Sequence, residues 1–167
     1  MRIFTRVQVL VHWIIEQIFL YHWFTKSKEH QYPFMATVDS HSLKMLIVED
    51  DKFMQSILSK YFSSSFHLEV FSDGIEALAY LHDGNIPDLI ITDLNTPKLG
   101  GLELIRQVKA SDFFNSIPMM VLSGEDSSEM IVKCLDAGAD DFIVKPFNPK
   151  ELEARIKVVL RRTGNLL

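Results

Sequence analysis

The sequence predicts an α/β protein: a doubly wound, five-stranded parallel sheet of the (βα)5 kind. Three observations predict it. Five short apolar runs alternate with five helical stretches between residues 43 and 163. The runs are continuously apolar, so their strands are expected to be buried on both faces, as in a parallel sheet covered by helices. Right-handed crossovers between such strands wind helices onto both sides of the sheet.

Each element has a local reason. Leu43–Val48 (LKMLIV) is the first apolar run and ends in acids. Lys52–Phe62 sets Phe53, Ile57, Leu58 and Tyr61 at helical spacing. Phe66–Phe71 is the second strand. Asp73, ahead of Gly74-Ile75-Glu76-Ala77-Leu78, is an N-cap with a helix behind it. Asp88–Thr92 (DLIIT) is the third run, and Leu102–Val108 has helical periodicity. Ile117–Leu122 (IPMMVL) is the fourth run, followed by a helix over Ser128–Ala137 that Gly138 stops. Asp141–Val144 (DFIV) is the fifth run. Pro149 stands near the start of a last helix that runs to about Arg162.

Composition limits the rest. The chain has 167 residues and is 47% hydrophobic, enough for a packed core. Its formal charge is −5, which argues against direct nucleic-acid binding by this chain, since that needs a basic face. A single cysteine, Cys134, excludes an internal disulfide framework and a Cys-based zinc site; it reads as a small buried helix residue. The charge is uneven: residues 1–40 carry +1 and the remainder −6. Eight of the eighteen aromatic residues, with both tryptophans, fall in those first forty.

Residues 1–42 therefore form a separate segment, an N-terminal helix and linker. Residues 7–24 (VQVLVHWIIEQIFLYHWF) contain Gln8, His12, Glu16, Gln17 and His22, too polar for a bilayer span. Gln8, His12 and Glu16 make one polar stripe, and Val7, Leu10, Val11, Ile14, Ile18 and Tyr21 cover the other side of an amphipathic helix. Such a helix suits packing on its own domain, dimerisation or contact with a membrane surface. Alternatively, the segment is an over-long start, because Met35 opens a second plausible beginning. Residues 25–42 are polar, contain Pro33 and read as a linker; residues 164–167 read as a tail.

In doubly wound folds ligands bind beyond the carboxyl ends of the strands, at the switch point. The first run here ends in Glu49, Asp50 and Asp51, and the third at Asp93. The fourth is followed by Ser123 and Gly124, the fifth by Lys145 and Pro146. The second ends in Phe71-Ser72 without such a cluster. Acids brought close repel one another and need a cation. Oxygen-only donors suit Mg2+ or Mn2+. A hard cation beside a carboxylate, a hydroxyl and an ammonium is equipment for phosphoryl transfer, in which the carboxylate can be the nucleophile. Asp93 is the natural acceptor; Glu49 and Asp50 would hold the metal, and Ser123 and Lys145 would grip phosphoryl oxygens. Singly, each residue has a plainer reading as a helix cap, a turn residue or a solvated lysine. Their joint occurrence at strand ends favours the site.

The segments LIVEDD, DLIITDLNTPKLGGLELI, PMMVLSG and GADDFIVKPFNPKELEARIKVVLRR resemble the receiver domain of two-component response regulators over about residues 43–163. The resemblance implies a flavodoxin-like receiver fold and a cytoplasmic phosphoprotein, not an enzyme beyond Mg2+-dependent self-phosphorylation and autodephosphorylation. It implies that Asp93 takes a phosphoryl group from a phosphohistidine of a sensor histidine kinase or phosphotransfer protein. It gives Glu49, Asp50, Asp93 and the Asn95 backbone carbonyl to the metal, and makes Ser123 and Phe142 switch residues. It also makes Lys145–Pro146 a candidate cis peptide. Asp51 falls just beyond the acidic pair and receives no metal role.

The closing segment is similar to receivers joined to winged-helix transcription factors. That implies a homodimer through the fourth helix, fifth strand and fifth helix, with Asp141 and Arg155 matching one ion pair. Ile131 and Ala137 depart from the charged pattern at that face. The chain stops at Leu167 and is expected to be a stand-alone regulator or a fragment of a longer one. Two rival functions compete. One is a receiver-fold binding module that signals without phosphorylation. The other is a haloacid dehalogenase-type phosphatase, whose D-x-D-x-T motif the run Asp93-Leu94-Asn95-Thr96 approaches; Asn95 cannot serve there as general acid.

Overall fold

The computed structural model describes residues 43–164. The N-terminal helix expected over residues 7–24, its linker up to residue 42 and the tail beyond Gly164 lie outside the described residues.

Ten elements alternate along the described residues. They are β1 (Lys44–Val48), α1 (Lys52–Phe62), β2 (His67–Phe71), α2 (Gly74–His82), β3 (Leu89–Asp93), α3 (Gly101–Ala110), β4 (Met119–Ser123), α4 (Ser128–Asp136), β5 (Asp141–Val144) and α5 (Pro149–Arg162). Four of these five helices begin where a side chain satisfies free N–H groups, whereas α3 starts after Gly100 without a side-chain cap. Asp51 accepts from Phe53 and Met54, Asp73 from Ile75 and Glu76, Ser127 from Met130, and Asn148 from Lys150. Pro149 opens α5, where a missing N–H costs nothing. Gly138 ends α4 at φ 107°, and the N–H of Ala139 reaches back to the Cys134 carbonyl at 3.0 Å, closing a Schellman turn.

The strands form one parallel sheet in the order β2-β1-β3-β4-β5. Chain direction across the sheet reverses between β1 and β3, so the crevice opens at their carboxyl ends. One face of the sheet presents Met45, Ile47, Leu89, Ile91, Met120, Leu122 and Ile143. These pack with Leu58 and Phe62 of α1 and with Leu152, Ile156, Val159 and Leu160 of α5. Leu46, Val48, Ile90 and Val121 alternate with them, face the other way and are equally buried.

Burial on both faces holds for β1, β3 and β4 and fails at the two edges. Among the described residues, β2 pairs only with β1, and β5 only with β4. His67 is exposed and the other β2 residues are half-buried. β3 also runs one residue further than expected, so Asp93 closes the strand, pairing with Leu122. β4 starts at Met119, after Pro118, and takes in Ser123. Among the described residues, no helix is long and apolar enough to cross a membrane.

Candidate functional site

β1 and β3 are neighbours, with Val48 beside Thr92, so the residues that follow them share one edge. The Glu49 N–H still pairs with the Phe71 carbonyl at 3.0 Å, which extends the ladder one step and holds Glu49 in place. Gln55, from the first turns of α1, donates its amide to the Glu49 carbonyl. Glu49 is 2% exposed, whereas Asp50 is open to solvent. Asp51 caps α1, its side chain accepting the N–H groups of Phe53 and Met54.

Carboxylate oxygens of Glu49, Asp50 and Asp93 lie within 4.8 Å of one another. Lys145 enters from the end of β5, across two strands. Its Nζ is 2.6 Å from Glu49 Oε2 and 2.6 Å from Asp93 Oδ2. The other Asp93 oxygen, Oδ1, accepts the Asn95 N–H at 3.2 Å. The Lys145 N–H bonds the Ser123 carbonyl at 2.7 Å, and the Lys145–Pro146 peptide is cis, as anticipated.

The charges do not balance: three carboxylates share one ammonium. Burial raises the pKa of Glu49, against the hydrogen bond from Lys145, and the nearby Asp93 charge adds to the rise. Burial opposes the charge on Lys145, but its hydrogen bonds to Asp93 and Glu49 outweigh that and raise its pKa, so it stays protonated. An oxygen-only cluster short of positive charge fits a hard divalent cation.

The remaining expected residues stand further out. Ser123 is fully buried and its Oγ accepts the Glu125 N–H at 3.0 Å, a turn contact rather than a contact with Asp93. Phe142 is half-buried on β5 beside Val121. Asp141 and Arg155, matched to an interprotomer pair, bond each other within the chain at 3.2 Å, and Arg155 also holds Glu151 at 2.9 Å. They border an open groove of about 390 Å³ between β5 and α5, together with Val158 and Arg162. Asn95 is exposed.

Sequence reasoning missed two supports of the site. The first is Gln55, whose only signal is a polar residue on the face of α1 turned toward β1. The second is the pair Asp73–Lys98, at 2.6 Å. The sequence marks Asp73 as a cap, and it is one; its second partner lies twenty-five residues away in the loop after β3. The paired glycines after that loop also have a reason. A Cβ on Gly101 would press on the backbone of Asp93 and Leu94, and one on Gly100 would lie 2.7 Å from the Leu94 carbonyl.

Fold and site together define a class: a doubly wound α/β protein with an acidic cluster and a bridging lysine at its switch point. The response regulator receiver domain family matches residues 45–157, and the chain belongs to it. A response regulator MprA from Mycobacterium sp. (strain KMS) is 38% identical over 123 residues, which cover 73% of this chain and 52% of that protein. The chain thus matches about half the length of such curated relatives. Among solved structures, the Francisella response regulator 1452 receiver domain superposes with a TM-score of 0.67 at 31% identity, covering 72% of this chain and 98% of that one. The receiver domain of sensor histidine kinase PA1611 from Pseudomonas aeruginosa PAO1 does so with a TM-score of 0.66 at 25% identity and the same coverage. That receiver has a magnesium ion coordinated in its active-site cleft.

Proposed function

We propose that this receiver accepts a phosphoryl group on Asp93 from a phosphohistidine of a sensor histidine kinase or phosphotransfer protein, with Mg2+ or Mn2+ as cofactor. The carrying observation is the cluster itself: three acids within 4.8 Å of one another, two of them bridged by Lys145. Glu49, Asp50 and Asp93, with the Asn95 backbone carbonyl, would hold the ion. When bound, it supplies positive charge that draws the acids and the incoming phosphoryl oxygens together.

Asp93 supplies the nucleophilic oxygen. Its Oδ attacks phosphorus, an O–P bond forms, the P–N bond breaks and the imidazole leaves with the electron pair. Lys145 is held protonated between Glu49 and Asp93 and so stands ready to bind a phosphoryl oxygen as charge builds there. Ser123 would give up its turn contact with Glu125 to hold another oxygen, and Phe142 would turn inward behind it. That movement is the switch, a shift between two packings that phosphorylation biases. The output face would be the α4, β5 and α5 side, where a homodimer would exchange the Asp141–Arg155 pair between protomers. The chain would be cytoplasmic, with residues 43–163 as the receiver, residues 1–42 as an extension and residues 164–167 as a tail.

The test is incubation of the full chain with acetyl phosphate, with and without Mg2+, followed by intact-mass analysis. One base-labile phosphoryl group is expected, dependent on Mg2+ and absent in Asp93→Asn. An unmodified wild type under every donor and metal tried would refute the phosphoacceptor reading.

A further inference from the structure

We infer that Lys98 is a positioning residue for the cation site, acting through a clasp with Asp73 that fixes the loop carrying Asn95; this rests on the reading of the site given above. The loop leaves β3 at Asp93 and returns at Gly101, whose N–H bonds the Leu94 carbonyl at 3.0 Å. The middle of the loop is fastened to the N-terminus of α2. Lys98 Nζ lies 2.6 Å from Asp73 Oδ2. Next to it the Gly74 N–H donates to the Leu99 carbonyl at 3.1 Å, which also accepts the Thr96 hydroxyl at 2.8 Å. A Cβ on Gly74 would lie 2.7 Å from that carbonyl, so the close approach requires glycine.

Asp73 is built as an anchor. Its side chain is 3% exposed against 59% for Lys98. Its Oδ1 is taken by the N–H groups of Ile75 and Glu76, at 2.9 and 3.1 Å. Oδ2 is the oxygen left for the loop. The hydrogen bond from Lys98 holds the Asp73 pKa low, against burial and with help from the two cap bonds, so the anchor stays charged.

Lys98 is held at φ 57°, the one non-glycine residue with positive φ among those described. A lysine does not favour this backbone by itself. The ion pair is what the conformation achieves: it turns the side chain back onto α2. Three residues earlier, the Asn95 N–H rests on Asp93 Oδ1. Fixing the loop at Lys98 and at Asp93 fixes the peptide between them, and with it the direction of the Asn95 carbonyl. Supporting contacts of this kind set ligand orientation and hence metal affinity.

The experiment is Mg2+ titration calorimetry on the full chain, with amide hydrogen exchange of the metal-free protein. Lys98→Met lowers Mg2+ affinity about tenfold and speeds exchange over residues 94–100, and Lys98→Arg restores both. Lys98→Gly adopts the same φ without strain, so it separates the clasp from the backbone; it loses affinity as Lys98→Met does. Asp73→Asn keeps a cap oxygen and weakens binding likewise. Combined with Lys98→Met it loses no more than either alone, because both remove one interaction. Wild-type affinity in Lys98→Met and Lys98→Gly, with the wild type itself binding Mg2+, overturns the clasp and leaves the site standing. No Mg2+ uptake by the wild type overturns the site and the clasp with it.

Discussion

Two lysine–carboxylate contacts of equal length accompany opposite pKa shifts in their acids. Lys145 reaches Glu49 at 2.6 Å and Lys98 reaches Asp73 at 2.6 Å, and both acids are buried. Yet the Glu49 pKa is raised and the Asp73 pKa is lowered. Asp73 has a lysine largely to itself and two backbone N–H groups at a helix N-terminus, where negative charge is favoured. Glu49 has one backbone donor, the Asp51 N–H at 3.2 Å, and shares its lysine with Asp93. Burial therefore wins at Glu49 and hydrogen bonding wins at Asp73. The difference separates a satisfied structural acid from an acid in a cluster short of positive charge.

Removing Lys145 breaks the comparison most severely. Lys145→Met leaves Glu49 and Asp93 facing each other and is expected to cost about 3 kcal/mol of stability without metal, as measured by urea unfolding. Added Mg2+ recovers part of that loss. Lys98→Met costs less, since its acid keeps its cap, and Mg2+ stabilises it only at higher concentration than the wild type.

Next in size is Gly101→Ala. The new Cβ meets the backbone of Asp93 and Leu94, so β3 and α3 must separate. We expect about 2 kcal/mol of destabilisation and slower phosphorylation by acetyl phosphate.

Much of this was legible in the sequence. Continuous apolar runs marked β1, β3 and β4, because central strands bury both faces. The same signal blurred at β2 and β5, where one neighbour is missing and half-burial suffices. The acids, Ser123 and Lys145 could be placed at one sheet edge without coordinates, since the carboxyl ends of parallel strands share an edge. Their bonding could not be read. Lys145 was expected to grip phosphoryl oxygens, and here it bridges two of the acids. Ser123 is expected to move toward a phosphoryl group, and here its hydroxyl oxygen holds the turn at Glu125. The Asp73–Lys98 pair was hidden because no periodicity links a helix cap to a loop lysine in the left-handed conformation.

A smaller effect sharpens the other half of the comparison. Asp73→Asn is expected to cost about 1 kcal/mol at neutral pH, discounted because Lys98 is largely exposed. The folded pKa of Asp73 lies below its ordinary value of 3.8. The stability it adds is therefore present above about that pH and is lost as pH falls through the lowered value. Unfolding curves of wild type and Asp73→Asn should converge at strongly acidic pH and stay apart from pH 5 to 8.

The smallest effect is at the output face. Arg155 bonds Asp141 and Glu151 on the surface, so Arg155→Gln should change stability by no more than about 0.5 kcal/mol. If the face forms a dimer, the same variant weakens association of the phosphorylated protein in sedimentation velocity.

The central claim is that the Glu49–Asp50–Asp93 cluster is short of one divalent cation while the Asp73 cap is not. Thermal unfolding of the full chain across a Mg2+ titration tests it directly, because a ligand that binds the folded state raises the midpoint with saturation. We predict a saturable rise in the wild type, none in Glu49→Gln/Asp50→Asn, and a rise at higher Mg2+ in Asp73→Asn. An unmoved midpoint in the wild type, or the same rise in the double variant, would contradict the claim.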